Sequence, residues 1–156
     1  MGSGLTYLWW GRQYYYLAGV VDIRTRQIIG WRLGSNHTSE LTYSALIDAL
    51  SRSTPPAILH SDQGSEYLSH KRRLICQRME IQMSASNKGS PWQSTFVERT
   101  IGTIKDELGD ISQHKDLAQL IEAIGLTTHY YNTERIHTSL KTTPAAYAAS
   151  LSQGVD

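Results

Sequence analysis

The sequence has little of several features that would narrow its function at once. Cys76 is the only cysteine, which excludes an internal disulfide and a cysteine-rich zinc site. The net charge of +1 is far from the strongly basic balance typical of nucleic-acid-binding domains. The longest clean apolar run, residues 14–21, is much shorter than the roughly 20 residues that a membrane-spanning helix needs. No signal peptide pattern is visible, so we expect a cytoplasmic protein with no membrane partner.

What is present indicates one folded domain. The chain has 156 residues, 40% hydrophobic and 19% charged, a composition that excludes a disordered tail and a coiled coil. A chain of this length buries ~70% of its unfolded surface. The flexible tetrapeptide Met1-Gly2-Ser3-Gly4 stands directly before a strand pattern. We therefore expect an added leader at residues 1–4, a core at 5–150 and a tail at 151–156.

The order of strand and helix patterns predicts an α/β domain. Three aromatic and β-branched segments come first, separated by short polar turns, and they indicate an antiparallel meander. Helix, strand, helix and strand patterns follow, and then helices, which predicts a five-stranded mixed sheet flanked by helices. The predicted strands are 5–10, 14–22, 27–33, 57–61 and 81–84, and the predicted helices are 39–52, 69–79 with a basic outer face, 95–108, 117–131 and a short one from Pro144. Thr38 or Ser39 is the expected N-cap of the first helix and Thr143 that of the last, and Gly109 is expected to end the third.

Two carboxylates are the candidates for chemistry. Asp62 follows the fourth predicted strand, and open α/β sheets bind ligands at the carboxyl ends of their strands. Glu98 lies at the start of the third predicted helix. Each has a simpler interpretation, because Asp62 could bond to the backbone near Gly64 in a turn, and Glu98 could complete a capping box with Thr95. The order of the pair, an Asp after a strand and a Glu after a glycine- and proline-containing loop, favours a shared site.

With these residues in place, the chain resembles the catalytic core of DDE transposases and retroviral integrases, in particular the transposases of bacterial insertion sequences. The resemblance extends over residues 5–149. Its parts are the second and third strands (16–22 and 28–31), the second-Asp motif HSDQGSEY (60–67), the active-site loop SASNKGSPW (84–92), the Glu helix with FVER and GTIK (96–105), and the C-terminal signature YNTERIH (131–137) with Leu140 and Pro144. One such motif would be weak, whereas the ordered series is specific.

The resemblance implies an RNase H-like fold and metal-dependent phosphodiester hydrolysis and DNA strand transfer. It implies a site of two Asp and one Glu that binds two Mg²⁺ or Mn²⁺ ions, with Asp62 and Glu98 as catalytic ligands here. It also implies DNA, as transposon ends and target, and a homodimer or higher multimer. We expect the C-terminal signature to pack the end of the long helix against the sheet. The predicted DNA-binding residues are Glu66, Lys88, Trp92, Arg99 and Lys105.

The chain departs from the family at the first aspartate. That residue stands directly before a segment like Leu5-Thr6-Tyr7-Leu8, and the corresponding position here is Gly4. Either the added leader replaces the aspartate, so that the natural sequence starts one residue after it, or the aspartate has been lost. Asp22 is not a replacement, because its position predicts that it caps the following turn. We therefore expect at most one weakly bound Mg²⁺ or Mn²⁺ and impaired activity.

Three functions stay open from the sequence. The favoured one is the catalytic core of a DNA transposase or integrase. The second is a non-catalytic DNA-binding or assembly module with the same fold, which Gly4 favours. The third is a nuclease of the RNase H or resolvase kind, which the C-terminal signature disfavours. Residues 60–105 carry seven Lys and Arg against four acids, a small local excess of positive charge. Because the net charge is only +1 and we expect no helix-turn-helix recognition region in this chain, we expect weak DNA binding without sequence preference.

Overall fold

A computed structural model describes residues 1–61, 69–85 and 92–154, with residues 85 and 92–94 described by their backbone only. Its centre is one five-stranded mixed sheet in the order β3-β2-β1-β4-β5. Strands β1, β2 and β3 are antiparallel neighbours, whereas β4 lies parallel to β1 and β5 parallel to β4. The strands are β1 Gly2–Trp10, β2 Gln13–Val21, β3 Ile28–Gly34, β4 Ile58–Ser61 and β5 Gln82–Ala85. The predicted five-stranded mixed sheet is confirmed.

Helices flank both faces of the sheet, and short polar side chains begin most of them. Thr38 and Thr143 accept hydrogen bonds from backbone amides of the first turn, so both predicted N-caps are confirmed. Gly109, at φ +63°, follows the last residue of α3 as predicted. The helices are α1 Ser39–Arg52, α2 His70–Arg78, α3 Trp92–Leu108, α4 Leu117–Thr133 and α5 Pro144–Gln153, with a 3₁₀ turn at Ile111–Gln113.

Each face of the sheet has its own apolar core. Strand β2 alternates, so Leu17 and Val21 pack with α3 and α4, while Ala18 and Val20 pack with α1. Burying one such side chain contributes about 1.5–3 kcal/mol. The face with α3 also includes Val97, which lies next to Glu98 in the chain and is 2% exposed. This packing fixes the orientation of the helix on which Glu98 lies.

Three details differ from the sequence prediction. Strand β1 begins at Gly2, three residues early, because the antiparallel ladder with β2 continues to Val21 whatever the side chains are. Helix α3 begins at Trp92 instead of residue 95, so Thr95 is an interior residue and the alternative interpretation of Glu98 as part of a capping box is wrong. Arg72 is 0% exposed, so it does not belong to a basic outer face of α2. The origin of residues 1–4 as an added leader stays a prediction.

Within the described parts of the chain, none of the helices combines the length and the apolar character needed to span a bilayer.

Candidate active site

Gly4 and Glu98 lie side by side where β1 packs against α3. A Cβ atom added at Gly4 would lie 3.7 Å from the backbone nitrogen of Glu98 and 2.7 Å from Cγ1 of Val97. Gly4 is buried, whereas Glu98, in the second turn of α3, is exposed. The structure therefore brings together two of the three positions that the sequence assigns to the catalytic carboxylates.

The end of strand β4 completes this corner of the sheet. His60 pairs in parallel with Gly2, and its amide donates a 2.8 Å hydrogen bond to the carbonyl of Met1. Burial lowers the pKa of the His60 imidazole, and the Met1 ammonium lowers it further. Strand β4 ends at Ser61, the residue before Asp62. The predicted site residues Asp62, Glu66 and Lys88 themselves lie outside the described residues.

A buried cation lies below the same corner. The Nη2 of Arg72 donates a 2.8 Å hydrogen bond to Oγ of Ser3, the neighbour of Gly4 in β1. Ser3 is 7% exposed, so this contact is shielded from solvent. Burial raises the pKa of the Cys76 thiol on the same helix, and the Arg72 charge offsets this only in part. Cys76 is thus a packing residue rather than a reactive thiol.

The described carboxylates fit the expected metal site only in part. The exposed Glu98 carboxylate is accessible to a metal ion, whereas Gly4 provides no ligand. Asp22 is committed to its turn, because its Oδ1 accepts hydrogen bonds from the amides of Arg24 and Thr25 at 2.9 and 3.3 Å. Its predicted capping role is confirmed. Among the described residues, no group of three or more His, Cys, Asp or Glu could hold a metal ion.

The predicted DNA-binding residues on α3 face different surroundings. Arg99 is exposed next to Glu98. Lys105 lies two turns further on, and its Nζ is 4.3 Å from the centre of the Tyr7 ring in β1. Trp92 begins the helix, and its side chain is outside the described part. The helix thus carries Glu98, Arg99 and Lys105 in one element, and their contact with DNA stays a prediction.

Sequence reasoning missed the groove beside Lys105. It has a volume of about 510 Å³ and lies between the β1–β2 hairpin and the end of α3. The exposed fractions of Tyr7, Trp9 and Tyr14 are 54%, 59% and 50%, so the three rings are open to solvent. The spacing of Tyr7 and Trp9, two residues apart in a strand, could have indicated this groove, because it places both side chains on one face of β1.

The C-terminal signature holds the helices that carry the site. The side chain of Asn132 accepts a hydrogen bond from the amide of Ile28 and donates one to its carbonyl, both at 2.9 Å. Burial raises the pKa of the Tyr131 phenol, and a hydrogen bond with Thr100 of α3 opposes this. The predicted packing of the signature against the sheet is confirmed, and it reaches α3 as well.

A second contact stabilises α3 close to Glu98. The guanidinium of Arg26, in the turn between β2 and β3, lies 4.1 Å from the centre of the Phe96 ring. Arg26 adopts φ +70°, an uncommon conformation for a residue other than glycine. Its amide donates a 2.7 Å hydrogen bond to the carbonyl of Asp22, which closes the turn. The sequence carried no signal for this cation–π contact.

Comparison with solved structures identifies the fold. The solved structure of the HTLV-2 integrase catalytic core domain in complex with magnesium (trimeric form) superposes with a TM-score of 0.77. It is 23% identical and the match covers 94% of this chain and 93% of that one. The fold is therefore the RNase H-like fold of retroviral integrase cores.

Sequence comparison identifies the family. An Integrase core domain model matches residues 4–91, and a second model of that description matches residues 79–144. The chain belongs to the integrase core domain family, the catalytic cores of transposases and integrases.

Two bacterial relatives are similar over most of this chain. An uncharacterized 31 kDa protein of insertion element IS600 from Shigella sonnei is 35% identical over 152 residues, 93% of this chain and 55% of that protein. The transposase for insertion sequence element IS904 from Lactococcus lactis is 31% identical over 128 residues, 80% of this chain and 51% of that protein. The chain spans about half the length of these relatives.

Proposed function

We propose that this chain is the core of a DNA transposase that performs metal-dependent phosphodiester hydrolysis and strand transfer. The observation that carries the proposal is the close approach of Gly4 to Glu98, since a Cβ atom added at Gly4 would lie 3.7 Å from the backbone nitrogen of Glu98. It supports the assignment of Gly4 to the first-Asp position, since carboxylates that share metal ions must lie close together. Asp62 and Glu98 would hold the metal.

Two divalent ions, Mg²⁺ or Mn²⁺, would activate the attacking oxygen and stabilise the leaving one. The protein's own contribution is positioning. The apolar residues that pack α3 against the sheet fix the position of Glu98. Its exposed carboxylate is an oxygen ligand of the kind that Mg²⁺ prefers. Because Gly4 has no side chain, the chain as it stands would bind at most one ion, weakly, and would be impaired in strand transfer.

DNA is the proposed partner, in the form of transposon ends and target, and the bacterial transposase relatives support this. The net charge of +1 favours weak binding without sequence preference. Lys88, Arg99 and Lys105 would contact phosphates, and Glu66 and Trp92 would also contact the DNA. A solved relative is described as dimeric and trimeric, and we propose a homodimer or higher multimer here. The place of action would be the bacterial cytoplasm.

Restoring the carboxylate tests the proposal. We expect Gly4→Asp to raise Mn²⁺-dependent nicking of supercoiled plasmid at least ~10-fold, a transition-state difference of about 1.4 kcal/mol. Adding Glu98→Gln should abolish the gain, while Asp22→Asn should leave it unchanged. Val97 must shift to admit the new side chain, so Gly4→Asp with Val97→Ala is the companion variant. Efficient nicking by the unmodified chain that is lost in Asp22→Asn would place Asp22 in the site.

Gly4 also favours a second candidate, a non-catalytic DNA-binding or assembly module. Such a module would bind DNA equally well with and without Mn²⁺. Neither Gly4→Asp nor its Val97→Ala companion would then gain nicking activity. The plasmid assay and a binding assay in the presence of a chelator therefore separate the two functions.

A further inference from the structure

Strand β1 and helix α3 run alongside one another from the candidate site towards the groove. Gly4 lies beside Glu98 at one end, and Tyr7 lies beside Lys105 further along. Three residues of strand advance about 10 Å, and seven residues of helix advance about 10.5 Å. The strand and the helix therefore advance by similar distances between the two pairs of residues, and Lys105 lies about two helical turns from Glu98.

The Tyr7 ring offers Lys105 a defined place. The Nζ of Lys105 lies 4.3 Å from the centre of the ring, within the ~6 Å reach of a cation–π interaction. A lysine ammonium on its flexible four-carbon stem otherwise samples many positions. Asp106 lines the same groove, so charge alone would not draw a phosphate there. The position of the ammonium therefore matters for a contact with DNA.

The Tyr7 ring is itself supported by other aromatic residues. Tyr14 contacts Tyr7 edge to face, with ring centres 5.5 Å apart at 87°. Trp9 contacts Tyr14 in the same manner, with ring centres 4.8 Å apart at 71°. Such pairs favour the observed geometry over free rotation of the rings. Tyr7 nevertheless stays 54% exposed, so its ring does not belong to the core.

We propose that Tyr7 is a positioning residue. Its ring holds the Lys105 ammonium where it contacts a backbone phosphate of the DNA strand about two helical turns from Glu98. The inference rests on the proposed function, because it needs DNA in the site. Tyr7 of β1 then contributes to DNA binding indirectly, by positioning Lys105. The face of the Tyr7 ring has this role, and its hydroxyl does not.

A double-mutant cycle on DNA affinity tests the inference. With a short fluorescent duplex at low salt, we expect Lys105→Gln to weaken binding and to lower the salt slope by about 1. Tyr7→Leu should weaken binding about 2–5-fold, the range of an exposed cation–π contact. The double variant should bind as Lys105→Gln does. Tyr7→Phe, which keeps the ring, and Tyr130→Leu, at an exposed tyrosine of α4 outside this groove, should each stay within about 2-fold of the unmodified chain.

A measurement without DNA checks the contact itself. The ε-methylene protons of Lys105 should be shifted upfield by the ring in the unmodified chain and in Tyr7→Phe, and should lose that shift in Tyr7→Leu. If the chain binds no DNA, the proposed function fails. If it binds DNA while Tyr7→Leu and Lys105→Gln act additively, or if Tyr7→Phe weakens binding as much as Tyr7→Leu, the inference about Tyr7 is overturned alone.

Discussion

Two glycines mark close approaches of a helix to the sheet, and their surroundings differ. At Gly30 in β3, an added Cβ would meet the backbone of α1, with the carbonyl oxygen of Ala45 at 2.8 Å and Ala49 closer still. At Gly4 in β1, the nearest atom is the end of the Val97 side chain at 2.7 Å. Backbone in a packed helix cannot yield, whereas a side-chain end can rotate. Packing therefore requires glycine at position 30 and only disfavours larger residues at position 4.

The largest expected effect is at Gly30. Gly30→Ala forces α1 away from β3, so we expect a loss of about 3 kcal/mol in the free energy of unfolding. Gly4→Ala is the matched control, and its loss should be below about 1 kcal/mol, because Val97 can move and alanine is less costly than glycine in a strand. Urea unfolding of both variants measures the difference. Equal losses at the two sites would break the comparison.

The support beneath Gly4 should come next in size. Ser3→Ala removes the hydroxyl that accepts from the buried Arg72 guanidinium. A lost hydrogen bond to a buried charge costs about 1–3 kcal/mol. Chemical denaturation measures this cost, with Ser35→Ala on the exposed loop after β3 as a control that should change little. An unchanged midpoint for Ser3→Ala would mean that Arg72 does not stabilise the β1 end of the site.

The smallest effect is a pH dependence near the C-terminal signature. Burial lowers the pKa of His137 below the ordinary histidine value of 6.5, and the charges of Arg26 and Arg135 lower it further. The unfolded chain therefore takes up the proton first. The stability that neutral His137 contributes is full above about pH 6.5 and is lost as the pH falls through the lower folded pKa. His137→Gln should flatten this slope between pH 6.5 and 5, and an unaltered slope would assign it to other groups.

Local sequence patterns were enough to predict most of the fold. The features that the sequence did not predict depend on contacts between residues that are far apart in the chain. The N-caps Thr38 and Thr143 depend only on residues within one turn, so the sequence predicts them. The burial of Arg72 depends on Ser3, far away in the chain, and a charged residue gives no signal of an inward position. The contact between Tyr7 and Lys105 could not be predicted either, because these two residues are also far apart in the chain.

The sequence likewise predicted the candidate site only in part. The motif series predicted Glu98 and the vacant first-Asp position at Gly4, and the structure adds that the two are neighbours. Their roles in catalysis stay predictions, as do those of Asp62, Glu66 and Lys88, which lie outside the described residues. The steric relation between Gly4 and Val97 could not come from the sequence, because it depends on how closely α3 packs on β1.

The central claim is that Gly4 occupies the position of a metal-binding carboxylate, and counting bound Mn²⁺ ions tests it most directly. Titration followed by electron paramagnetic resonance should give at most one weakly bound ion for the unmodified chain. Gly4→Asp, alone or with Val97→Ala, should bind Mn²⁺ more tightly and take up a second ion, and Gly4→Asn should not, because it is uncharged. Identical Mn²⁺ binding by all four proteins would contradict the account.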